Sequence, residues 1–67
     1  MIHIGKRVKV IGFRHTGRVG VVLRLNRCSV DTARLWYVRL DATKRAKECV
    51  DLLWESELAE VKEERVA

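Results

Sequence analysis

Proline is absent from this chain, and glycine occurs only four times in 67 residues. Rigid turns therefore depend on where the glycines fall and on packing, because no residue fixes φ by itself. Cysteine is scarce too: Cys28 and Cys49 are far apart, and neither has a second thiol nearby. That spacing excludes a zinc knuckle, and His3 and His15 supply no ligand spacing with either cysteine. Two reduced structural cysteines are expected, with no metal and no cofactor. No apolar run approaches the roughly 20 residues of a transmembrane helix. The N-terminus, MIHIGKRVKV, lacks the long apolar stretch of a signal peptide. A cytoplasmic protein without membrane contact is the expectation.

Acidic residues are missing altogether from the first part of the chain. Through Arg27 it carries Lys6, Arg7, Lys9, Arg14, Arg18, Arg24 and Arg27 and no acid. From Glu48 onward the balance reverses, with Glu48, Asp51, Glu55, Glu57, Glu60, Glu63 and Glu64 against Lys62 and Arg65. The net charge of +5 thus conceals an electrically polar molecule. A basic surface attracts polyanions through counterion release. The same polarity also suits head-to-tail or heterologous protein contacts, and the plainest alternative is a solvated mixed-charge surface. At 48% apolar and 34% charged residues, the composition is that of one small globular domain. Its length is near the lower limit for a single core.

Period-two patterning supplies the architecture. Val8 and Val10 alternate with Arg7, Lys9 and Ile11, and Val19, Val21, Leu23 and Leu25 alternate with Arg18, Gly20, Val22 and Arg24. Gly12, Gly17 and Gly20 stand where a hairpin needs unusual φ/ψ or close backbone approach. Strands are expected over 7–11, 18–25, 35–41 and 49–54. A polar turn, NRCSVDTAR, and a basic loop, ATKRAKE, join the later ones. In the third strand Trp36, Val38 and Leu40 share one face. In the fourth Val50, Leu52 and Trp54 share one face and Asp51 takes the other. Glu55-Ser56-Glu57-Leu58 reads as one helical turn, Leu58 tucks back under the sheet, and 59–61 adds a last short strand. The expectation is an all-β, five-stranded SH3-like barrel over residues 1–61, with a frayed tail at 62–67.

The first hairpin resembles a KOW motif, the glycine-centred element of ribosomal large-subunit proteins and NusG-type transcription elongation factors. The matching positions are Gly5, Val8, Val10, Ile11, Gly17, Gly20, Val22 and Leu23, within G-x-x-V-x-V-I and G-x-x-G-x-V-L. The likeness covers about the first third of the chain, and Gly12 and Phe13 depart from it. It implies a barrel that binds RNA in some families and docks onto proteins in others. The later segments WYVRLD and VDLLWESEL look like the second half of many small SH3-like domains. A remote enzyme alternative is the plasmid-borne type II dihydrofolate reductases, tetramers of similar barrels with an active-site strand V-Q-I-Y. Val50-Asp51-Leu52-Leu53 stands in that place, with Leu58 at the equivalent spacing. Asp51 cannot donate the amide hydrogen bonds of that glutamine, and Leu53 replaces the tyrosine.

No other arrangement resembles a catalytic site. Ser29 and Ser56 lie in no nucleophile motif, and nothing in the sequence brings Cys28, His15 and Asp31 together. A non-catalytic binding module is therefore expected, with RNA or DNA as the ligand. Contacts would come from Arg14, His15, Arg18 and Arg24 on the hairpin and from Lys44, Arg45 and Lys47 on the later loop. Phe13 or Tyr37 would offer a stacking face, against partial packing of both rings in the core. Trp36 and Trp54 lie in phase with apolar neighbours and are read as core. The rival is a protein-docking or self-associating module. It would use a groove between Asn26–Arg34 and the hairpin loop, anchors at Tyr37, Trp54 and Leu53, and an exposed apolar stripe of Ile11, Val22 and Leu53.

Overall fold

A computed structural model describes residues 2–30 and 32–61. Five strands, β1 (Arg7–Val10), β2 (Val19–Leu25), β3 (Leu35–Leu40), β4 (Cys49–Trp54) and β5 (Leu58–Glu60), form one antiparallel sheet in the order β4-β3-β2-β1-β5. A single 3-10 turn, Glu55–Glu57, joins β4 to β5. This is the small, five-stranded, barrel-like all-β fold that the patterning predicts, with its one turn of helix before the last strand. No helix among the described residues is long and apolar enough to cross a membrane. The KEERVA tail expected to fray lies outside the described residues.

Register explains the core. Residues directly opposite each other in an antiparallel pair share a face of the sheet. Val8 pairs with Gly20, Gly20 with Leu40, Val22 with Val38, and Trp36 with Leu53. Val8, Val10, Val22, Trp36, Val38, Leu40, Leu53 and Leu58 fill the interior, with Ile2 closing one side. Leu58 tucks under the sheet as its position after the 3-10 turn predicts. Gly20 is required by close approach: a Cβ there would stand 2.3 Å from the Arg39 carbonyl oxygen. At Gly17 the backbone itself is left-handed, with φ +86°.

Two strands face the opposite way from the sequence reading. In β2 the core residue is Val22, while Leu23 and Leu25 are exposed and Val19 and Val21 only half-buried. The run VGVVLRL is apolar in both phases, so pairing with Val38, not periodicity, decides which side goes in. In β4 the inner face is Cys49, Asp51 and Leu53, opposite Leu40, Val38 and Trp36. Val50 and Trp54 are 54% and 46% exposed, so Trp54 is not a core residue. The proposed stripe of Ile11, Val22 and Leu53 does not exist: Ile11 is exposed, but Val22 and Leu53 are fully buried. Neither can form an interface while the barrel is folded.

β4 is an edge strand, and two of its N–H groups are bonded to carboxylates. The Leu52 N–H donates to Asp51 Oδ1 at 2.8 Å and the Trp54 N–H to Glu57 Oε1 at 3.2 Å. Occupied donors and an inward-pointing acid blunt an edge against strand addition.

Exchanging the buried and exposed leucine-like positions tests the inverted phase. Leu53→Ala is expected to cost about 2–5 kcal/mol, whereas Val50→Ala costs under about 1 kcal/mol. Gly20→Ala forces a backbone shift and costs about 1–3 kcal/mol. Urea denaturation midpoints rank the three variants, and a larger loss at Val50 than at Leu53 contradicts the observed facing.

Candidate nucleic-acid interface

The loop joining β1 to β2 is closed by its own backbone. The Gly17 N–H donates to the Val10 carbonyl at 2.8 Å, Val10 N–H to Arg18 at 2.8 Å, and Arg18 N–H to His15 at 3.0 Å. The Thr16 hydroxyl faces the Gly12 and Phe13 carbonyls. His15 carries a left-handed φ of 57°, uncommon for a residue with a Cβ. What holds it there is Asp51. The His15 Nε2 lies 2.8 Å from Asp51 Oδ2, and Arg14 Nη2 donates to the same oxygen.

The electrostatics of that contact follow from its partners. Partial burial pushes the Asp51 carboxyl upward. Hydrogen bonds from His15, Arg14 and the Leu52 N–H, together with the Arg14 charge, outweigh burial and hold it below the usual range. Bonding to Asp51 in turn raises the Arg14 guanidinium. A polar side chain on the inner face of β4 is thereby satisfied.

Arg18 ties this end of the barrel together. Its Nη2 donates to the carbonyls of Asp41 at 2.8 Å and Lys47 at 3.0 Å, and Nη1 lies 3.6 Å from Cys49 Sγ. Both carbonyls flank the β3–β4 loop, whose centre is a Thr43 turn. Thr43 Oγ1 accepts the Ala46 N–H at 3.0 Å, and Thr43 N–H donates to the Ala46 carbonyl at 2.8 Å. Asp41 N–H also donates to Val19 at 2.9 Å, so the β1–β2 and β3–β4 loops lie side by side. Lys44, Arg45 and Lys47 are exposed and form no ion pair among the described residues. Arg7, Arg34 and Arg39, by contrast, face Asp41, Glu55 and Glu48 at 3.4, 3.9 and 3.1 Å.

The expected site residues therefore separate into three groups. Phe13, Arg14, Lys44, Arg45 and Lys47 gather at one end, and Phe13 is fully exposed rather than packed in the core. Arg18 and His15 sit among them but are occupied within the molecule, as a clamp and as an Asp51 partner. Arg24 and Tyr37 lie elsewhere, on the outer face of the sheet. There the Arg24 guanidinium stacks 4.2 Å from the centroid of the half-buried Tyr37 ring, whose hydroxyl accepts from Asn26 Nδ2 at 3.1 Å. Asp51 is the residue that sequence reasoning missed as a loop partner. Its signal was a lone acid inside an apolar strand.

The docking groove does not form where it was expected. The Asn26–Arg34 segment and the hairpin loop lie at opposite ends of β2. A cleft of about 450 Å³ instead runs between Thr32, Ala33 and Arg34 and the Trp54, Glu55 and Ser56 segment. At the positions of the dihydrofolate-reductase correspondence, Leu53 is buried and Asp51 is bonded to Arg14 and His15. No cluster of three metal-ligating side chains occurs among the described residues. Asp31 lies outside them.

A depressed carboxyl contributes stability above its unfolded value, about 3.9. That contribution disappears as the pH falls through the lower folded value. Asp51→Asn is thus expected to be less stable than the parent by about 1 kcal/mol at pH 7. The gap closes below about pH 4. Denaturation curves across this range check it, and a gap unchanged in acid contradicts the assignment.

Neither protein-family models nor curated proteins match this chain.

Proposed function

We propose that this protein is a non-catalytic, KOW-like module that binds single-stranded RNA or DNA at the end formed by the β1–β2 and β3–β4 loops. One observation carries the reading: a fully exposed phenylalanine, Phe13, beside Arg14 on a loop held in place, with three exposed cations on the adjoining loop that form no ion pair among the described residues. An aromatic ring costs apolar exposure in water, and a pinned loop cannot hide it. Bases supply a face for such a ring, and phosphates supply counter-charge for Lys44, Arg45 and Lys47. A single strand is favoured over a duplex because only unpaired bases present their faces. Arg18 acts as a positioning residue that keeps the two loops in register and does not itself reach the ligand.

Protein docking is the second reading, favoured by the cleft beside the half-exposed Trp54 and by the exposed Val50 on the same strand. The two readings rest on different residues, Phe13 and the loop cations in the one and Trp54 in the other.

Fluorescence anisotropy with short labelled single-stranded RNA, single-stranded DNA and duplex DNA tests the proposal. Binding is expected to fall steeply with salt, with a log–log slope of about −3 for four phosphate contacts on a single strand. Phe13→Ala is expected to cost about 1–3 kcal/mol, and Trp54→Ala nothing. Absence of binding at low salt, or a loss at Trp54 in place of Phe13, overturns the assignment.

A further inference from the structure

Of the acids Asp41, Glu48 and Asp51 at the basic end, the first two face Arg7 and Arg39, and Asp51 holds Arg14, a cation of the proposed interface. Asp51 Oδ2 receives Arg14 Nη2 and lies 2.8 Å from His15 Nε2, while Oδ1 accepts the Leu52 N–H at 2.8 Å. A carboxylate oxygen and a phosphate oxygen make the same demands on a guanidinium. The pair is open to solvent, since the Arg14 side chain is 62% exposed and that of Asp51 28%. An incoming phosphate can therefore reach Arg14 without unfolding the loop.

We infer that the Arg14–Asp51 contact is autoinhibitory: in the free protein Asp51 occupies the position on Arg14 that a backbone phosphate takes on binding. The inference rests on the nucleic-acid reading above and adds a regulation to it. When Arg14 transfers to phosphate, Asp51 keeps the Leu52 N–H and the His15 ring, so β4 is not disturbed. Binding then exchanges one ion pair for another, and a carboxylate is left close to a phosphate. Both terms weaken the parent protein toward nucleic acid. Asp51 thus sets affinity without contacting the ligand, and it discriminates against weakly charged competitors that cannot displace it.

Asp51→Asn is the direct test, because the amide oxygen still accepts from Leu52 N–H while the charge that holds Arg14 is gone. Its affinity for a labelled single-stranded oligonucleotide is expected to rise about fivefold. Glu48→Gln makes the same change in net charge at the same end of the barrel and is expected to change affinity less than about twofold. In an Arg14→Ala background the Asp51→Asn gain should vanish. A gain no larger than that of Glu48→Gln, or one that survives Arg14→Ala, overturns the inference. Circular dichroism verifies folding, and Asp51→Thr takes the place of Asp51→Asn if the amide variant unfolds.

A second readout separates this idea from the reading beneath it. Inorganic phosphate is titrated while the Arg14 Nε–Hε signal is followed by NMR. If no variant binds oligonucleotide, nucleic-acid recognition fails. The latch still stands if phosphate moves the Arg14 signal at lower concentration in Asp51→Asn than in the parent. Identical titrations overturn it.

Discussion

The inward carboxylate of Asp51 is the constraint on which the proposed binding end of this barrel depends. Placing an acid on the inner face of an edge strand is costly unless every oxygen is bonded. Here the donors come from three places: the next residue of the strand, an arginine, and a histidine on a distant loop. Meeting that demand fixes the β1–β2 loop against β4 and holds His15 in a left-handed conformation. With the loop fixed, Phe13 has nowhere to pack and remains in water.

Arg18 completes the arrangement from the other side. Long cationic side chains usually reach solvent, but this one turns back to two carbonyls that bracket the β3–β4 loop. It converts one positive charge from a ligand contact into a structural tie. Of the remaining cations on the two loops, Arg14 is bonded to Asp51, while Lys44, Arg45 and Lys47 form no ion pair among the described residues. Elsewhere part of the charge segregation seen along the chain is offset in space, as Lys6 lies 4.0 Å from Glu60 and Arg7 3.4 Å from Asp41.

The fold was legible because strand boundaries depend on local pattern. Turn residues bracket β1, β2, β3 and β4 closely, and the acids of Glu55–Glu57 mark the 3-10 turn. Facing was harder. CVDLLW carries its strongest apolar residues at Val50, Leu52 and Trp54, yet pairing with β3 turns Leu53 inward against Trp36. VGVVLRL is apolar on both sides, so only its partners decide. Of the proposed site, the exposure of Lys44, Arg45 and Lys47 could be read directly, since cations in a glycine-free polar loop have few alternatives. The internal roles of Arg18 and Asp51 could not be read, because both arise from contacts more than 20 residues apart in sequence.

Backbone and side-chain NMR of the labelled protein, followed while an unlabelled single-stranded oligonucleotide is added, tests the central claim most directly. Signals of Phe13, Arg14 and residues 44–47 are expected to move together at one end of the barrel, with those of Val50, Trp54 and the Thr32–Arg34 segment unchanged. Shifts centred on Trp54 and its cleft, with the two basic loops silent, would contradict the account.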